Sequence, residues 1–104
     1  MEKQDVISAL AALAQETRLD VFRRLVQAGP PGMAAGALAS ELSISPATLS
    51  FHLKELRNAR LVTSEREGRS IRYAPAFSAI TELIGYLGDN CCQDAGCGTP
   101  AAQE

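Results

Sequence analysis

Residues 34–60, AAGALASELSISPATLSFHLKELRNAR, contain the boundary that decides the fold. Over 34–42, Ala35, Leu38, Ala39 and Leu42 recur at helical spacing and predict a short helix. Ser43-Ile44-Ser45-Pro46 is then a tight connection. Ser45 is a ready N-cap, and Pro46 suits the first helical position, where a missing N–H leaves no bond unmade. Ile44 before the cap and Leu49 after it can form a hydrophobic staple that sets the entry angle. Thr48 stands where the glutamate of a capping box would be. The second helix runs through 46–60 and buries Leu49, Leu53 and Leu56. A short helix, a tight turn and a capped second helix make a helix-turn-helix.

Working outward, Val6, Ile7, Leu10, Leu13 and Ala14 predict a first amphipathic helix over 5–14. A second follows in ETRLDVFRRLVQAG (16–29), with Leu19, Phe22 and Val26 on one stripe and Val21 and Leu25 beside it. Gly29-Pro30-Pro31-Gly32 ends it. Downstream, LVTSERE (61–67) and RSIRYAP (69–75) read as two strands around Glu67-Gly68, a hairpin with basic residues at its tip. Phe77, Ile80, Leu83, Ile84 and Leu87 mark a fifth helix that fades at Gly85 and Gly88. The expected fold is mainly α (α+β): a winged helix-turn-helix of four helices, a β-hairpin wing and a fifth helix. Residues 1–90 form the expected DNA-binding and dimerisation domain, and 91–104 a cysteine-containing tail.

A chain of 104 residues, 46% hydrophobic, suits one domain with a modest core, which gains from a partner subunit that covers leftover apolar surface. No apolar run reaches the length of a membrane span, and MEKQDVISAL lacks a basic region followed by an apolar stretch. The cytoplasm is therefore expected, and in that reducing compartment the three cysteines read as thiols. The net charge of −2 is unevenly spread. Lys54, Arg57, Arg60, Arg66, Arg69 and Arg72 face only Glu55, Glu65 and Glu67 over 54–72, so this segment is basic and the remainder acidic. Screening confines a surface field to about 10 Å, so a local basic face is enough to engage phosphates.

With Leu49, Leu53 and Leu56 turned inward, a helical wheel sends Ala47, Phe51, Lys54 and Asn58 outward, with Thr48 and Ser50 at the shoulders. Such a helix lies in a major groove with its N-terminal residues at base edges. Thr48 and Ser50 suit bases or phosphates, and Lys54 and Arg57 suit phosphates. Phe51 is either a contact for a thymine methyl or a satellite core residue. His52, the one histidine, sits a shoulder away from the leucines and reads as half-buried, within reach of a phosphate. Arg66, Arg69 and Arg72 on the wing suit minor-groove or phosphate contact, or else solubilise an exposed hairpin.

ETRLDVFRRL (16–25), ELSISPATLSFHLKELRNARLV (41–62) and EGRSIRYAP (67–75) resemble the ArsR/SmtB family of metal-responsive winged-helix repressors, over roughly four-fifths of the chain. The resemblance implies a homodimer on a twofold operator in double-stranded DNA, released when an inducer binds. It implies an interface on the first and last helices, here Val6, Leu10, Leu13, Phe77, Ile80, Ile84 and Leu87. Two departures stand out. The family's usual glycine is replaced by Arg60, which costs roughly 1 kcal/mol if that residue is left-handed, or else lengthens the helix. The third helix, GALASELS, lacks the C-x-C of the best-known arsenic sensors, and the last helix lacks the histidines of the zinc sensors. Cys91-Cys92-x4-Cys97 instead resembles the C-terminal cysteine site of a further arsenic-sensing branch.

The residues themselves favour the same ligand. All three cysteines fall within seven consecutive positions, and Gly96 and Gly98 let the chain fold back around one centre. Thiolates select soft ions. Trivalent arsenic or antimony takes three sulfurs, whereas zinc prefers four ligands. No cofactor is expected for folding; As(III), with Sb(III) or a methylated arsenical as variants, is the expected inducer. The competing readings are a cadmium, lead or zinc sensor, a redox sensor closing Cys92 onto Cys97, and a protein-interaction module that uses no DNA. No nucleophile–base pair, catalytic carboxylate pair or phosphate loop is present, so an enzyme is not expected.

Overall fold

The turn between the two helices of the motif closes through one left-handed residue. In a computed structural model that describes residues 1–96, Ser43 takes φ 54° and ends α3 (Ala35–Leu42). The Ile44 N–H turns back to the Ala39 carbonyl at 3.0 Å, so a helix-end acceptor is satisfied within the turn. Ser45 then caps α4 (Pro46–Asn58), its Oγ accepting the Thr48 N–H at 3.2 Å. The same closing device recurs at the far end of α4. There Arg60 is left-handed at φ 63°, and the Leu61 N–H donates to the Leu56 carbonyl at 3.0 Å. The helix is thus not lengthened past Asn58. Leu56 and Leu61, both fully buried, supply the hydrophobic contact that accompanies this motif.

Two helices precede the motif, α1 (Lys3–Leu13) and α2 (Glu16–Ala28). The buried face of α1 is Val6, Ala9 and Ala12, and that of α2 is Val21, Phe22 and Leu25. The stripe of α2 is thus rotated from the one expected, since Leu19 and Val26 lie at the surface. Leu25, Leu38, Leu49, Leu53 and Leu56 meet in one core, where each fully buried leucine contributes about 1.5–3 kcal/mol from its removal from water. Arg24 of α2 holds Glu41 of α3 through Nε at 2.8 Å on the surface.

The wing is β2 (Val62–Glu67) and β3 (Ser70–Pro75), antiparallel, with Glu67 opposite Ser70 across a Gly68-Arg69 turn. A two-residue strand that the sequence reading missed, β1 (Met33–Ala34), adds to the other side of β3 and gives the order β1-β3-β2. Gly32 makes this third strand possible. It sits at φ 70°, and a β-carbon there would stand inside contact distance of the Tyr73 carbonyl. A fifth helix, α5 (Phe77–Gly88), continues past Gly85 and packs on α1. Among the described residues no helix is long and apolar enough to cross a membrane.

Candidate nucleic-acid interface and thiol site

The outer face of α4 presents Ala47, Thr48, Ser50, Phe51, Lys54 and Arg57, all exposed. Cap geometry fixes how this face begins, because the Ser45 hydroxyl reaches Thr48 Oγ1 at 2.9 Å and orients that side chain. Phe51 stands 56% exposed, so it is not a core residue. It is nevertheless not loose. Its ring meets the His52 ring edge-on at 5.5 Å between centroids, and the Arg18 guanidinium carbon lies 6.0 Å from its centroid.

His52 does not belong to the reading face. It is 7% exposed and shares the inward stripe with Leu49, Leu53 and Leu56, the three- and four-residue spacing of one helix face. A phosphate contact by this side chain is thereby corrected. Its Nδ1 lies 3.3 Å from an Arg18 terminal nitrogen. Since Arg18 only donates, Nδ1 accepts and the ring proton belongs on Nε2. Burial holds the imidazole below its ordinary range, the Arg18 charge adds to this, and Glu55 opposes it.

Arg18, which the sequence reading did not single out, contacts both His52 and Phe51. Its backbone N–H is capped by Gln15 Oε1 at 2.7 Å, and its Nε donates to the Ala12 carbonyl at 2.7 Å. One guanidinium therefore joins the last turn of α1 to α4.

The wing arginines separate into two kinds. Arg66 and Arg69 lie exposed at the tip, Arg66 placing a terminal nitrogen 3.4 Å from the Gly68 carbonyl. Arg72 turns inward instead. Its Nε pairs with Glu67 at 3.1 Å, and a terminal nitrogen donates to the carbonyls of Pro31 and Gly32 at 3.2 and 3.0 Å. These contacts tie the wing to the loop before β1 and leave the Arg72 side chain partly exposed.

The apolar surface that remains concentrates on α1 and α5. Leu10, Phe77, Ile84 and Leu87 are exposed, the last two at 66% and 60%, and Ile7 and Tyr86 lie open beside them. Leu13 and Ile80 are half-buried against the core. Val6 is enclosed in the protomer's own core, which removes it from the expected interface.

Cys91 and Cys92 follow α5 directly, held by the Cys91 N–H on the Gly88 carbonyl at 3.1 Å. Their sulfurs lie 3.4 Å apart and both residues are exposed. Asn90 and Cys92 are left-handed at φ 60° and 58°, which curls the chain back on itself. Among the described residues no group of three or more His, Cys, Asp or Glu is placed to hold a metal ion. Cys97, the expected third ligand, lies outside the described residues.

A regulator rather than an enzyme is the class of protein that a capped helix-turn-helix with a basic wing defines. A helix-turn-helix domain family matches residues 13–65. The nodulation protein NolR of Rhizobium meliloti is 36% identical over 80 residues, covering 77% of this chain. This chain spans 63% of the length of that relative. The transcriptional activator HlyU of Vibrio cholerae is 30% identical, covering 89% of this chain and 85% of its own. Among solved structures, an ArsR-like transcriptional regulator from Rhodococcus superposes with a TM-score of 0.72 and 31% identity, covering 81% of this chain and 76% of that one. A homodimeric winged helix-turn-helix DNA-binding domain from Mycobacterium bovis gives a TM-score of 0.67 at 28% identity, over 84% of this chain and 81% of that one. The chain belongs to the ArsR-like winged helix-turn-helix family of transcriptional regulators.

Proposed function

We propose that this protein is a homodimeric, cytoplasmic repressor that holds operator DNA until trivalent arsenic binds its C-terminal thiols. The observation that carries the inducer reading is the Cys91–Cys92 pair, with sulfurs 3.4 Å apart one short turn after the exposed apolar face of α5. Two soft donors at that separation supply two ligands to one soft centre, and Cys97 supplies the third. A methylated arsenical needs only the two. Each thiol proton leaves with a hydroxide of As(OH)3 as water, so arsenite binding releases no net protons near neutral pH, whereas a divalent cation on the same thiols would release them. The ligand sits beside the helix that pairs the protomers, and for that reason it acts on the spacing of the two α4 helices.

DNA engagement divides by chemistry. Lys54, Arg57, Arg66 and Arg69 neutralise phosphates, while Ala47, Ser50 and Phe51 meet base edges and methyl groups. The dimer buries Leu10, Ile84 and Leu87 against their copies, with Phe77 at the margin.

The test is fluorescence anisotropy on the duplex that the wild-type protein selects from a randomised pool, under reducing conditions. Arsenite, zinc, cadmium and peroxide are titrated in turn. Release by arsenite, and its loss in the Cys91→Ser, Cys92→Ser double variant, is the expected result. Release by peroxide or by zinc and not by arsenite replaces the inducer, and a double variant that still leaves DNA with arsenite moves the site elsewhere.

A further inference from the structure

We infer that Arg18 is a positioning residue for DNA sequence discrimination, fixing Phe51 and the pitch of α4 from outside the DNA-reading face. This rests on the proposed binding of duplex DNA by α4. Three contacts converge on one guanidinium that belongs to neither α1 nor α4. Its Nε donates to the Ala12 carbonyl in the last turn of α1 at 2.7 Å, and a terminal nitrogen donates to Nδ1 of buried His52 at 3.3 Å. Its carbon lies 6.0 Å from the centre of the Phe51 ring.

Phe51 is large, apolar and 56% exposed on a helix face of small and polar residues. A side chain so placed ordinarily samples several rotamers, and binding would have to select one. The Arg18 guanidinium at 6.0 Å and the tilted His52 ring, its centroid at 5.5 Å, restrict the Phe51 ring before DNA arrives. Prearrangement lowers the ordering cost of a contact, and here the cost falls on the one aromatic that can tell a thymine methyl from its absence.

His52 completes the device. As an acceptor it aligns the guanidinium, which planar geometry then presents to both Ala12 and Phe51. Arg18 is itself partly buried and lines a groove between α1 and α4 together with Glu55.

The experiment separates a positioning role from a phosphate contact. Affinity of the dimer is measured for the selected duplex and for a shuffled duplex, each over a salt series. Arg18→Met keeps the stem and removes the donors. It should lower affinity for the selected duplex about 5–10-fold, leave the shuffled duplex within twofold, and leave the salt slope unchanged. Phe51→Ala added to Arg18→Met should then cost less than it does in the wild type, the coupling that a double-mutant cycle reads. A salt slope smaller by about one, or equal losses on both duplexes, makes Arg18 a phosphate contact and overturns the inference.

Full additivity with Phe51→Ala overturns it as well. If Arg18→Met fails to fold, His52→Gln and His52→Leu decide. Glutamine can still accept from Arg18 and should keep discrimination, whereas leucine should lose it. Equal behaviour of the two refutes the device. A wild-type protein that binds neither duplex refutes the DNA reading itself, a separate outcome.

Discussion

Replacing Arg60 by glycine should make the protein more stable, against the usual direction of single substitutions. Arg60 ends α4 at φ 63°, where any residue with a β-carbon is strained by about 1–2 kcal/mol. Glycine removes that strain and gives back about 0.5–1 kcal/mol through the greater freedom of its unfolded chain. The two backbone bonds that close the helix end, from the N–H groups of Arg60 and Leu61 to the carbonyls of Arg57 and Leu56, survive the change. The net gain is about 0.5–1 kcal/mol, which for a domain of this size raises Tm by about 2–8 °C. Arg60→Ala is the control, since it discards the guanidinium and keeps the β-carbon. Melts followed by circular dichroism at one fixed protein concentration, because a dimer's Tm depends on concentration, should rank glycine above alanine and the wild type. Equal Tm values for the glycine and alanine variants would refute the argument from backbone strain.

Gly32→Ala should act in the opposite sense. Its β-carbon meets the Tyr73 carbonyl and its φ of 70° is kept, so a loss of about 3 kcal/mol and a weakened β1–β3 pairing are expected in a denaturant titration. Ser45→Ala removes the acceptor for the Thr48 N–H and should cost about 1 kcal/mol, with DNA affinity reduced further as the start of α4 frays. Stability should also fall as the pH drops below about 6.5, the ordinary imidazole value. The buried His52 resists protonation in the folded protein and accepts it when unfolded, so the unfolded state binds more protons and folding weakens by up to about 1.4 kcal/mol per pH unit until the lowered folded value is reached. His52→Gln should remove that segment of the pH dependence; an unchanged profile would assign it to other groups.

What could be read in advance was local in the chain. Ser45, Pro46 and the leucines at 49, 53 and 56 lie within one helix and its entry, and they specify α4 without reference to any other segment. The wing was equally plain, since β2 and β3 are joined by two residues. The departures are contacts between distant segments. Arg72 is claimed by carbonyls 40 and 41 positions away, and Arg18 finds His52 across 34 positions, so no spacing pattern signals either pair. Strand β1 has two residues, too few for a period of two to register. His52 is a different case. The sequence reads it as half-buried at the shoulder of the leucine stripe, and the structure sets it fully within that stripe, at the same spacing as the leucines. The stripe on α2 was misjudged because Leu19 and Val26 are apolar residues left at the surface.

An inducer at Cys91 and Cys92 changes DNA affinity only by as much as it binds the two arrangements of the dimer unequally. The fold supplies a continuous mechanical route for that inequality. Cys91 hangs from the end of α5 through its amide, α5 packs on α1, and α1 packs on α4, where Arg18 fastens the end of α1 to His52. The coupling needed, about 1–3 kcal/mol, is of the size of one or two hydrogen bonds of the kind Arg18 makes. Because coupling between binding equilibria is reciprocal, the protein saturated with its selected duplex should bind arsenite weaker by the factor with which arsenite weakens the duplex, about 5–150-fold. Calorimetric titration of arsenite into free and DNA-bound dimer measures both sides. Equal arsenite affinity in the two would show that arsenite and DNA binding are uncoupled, and arsenite would then not be the inducer.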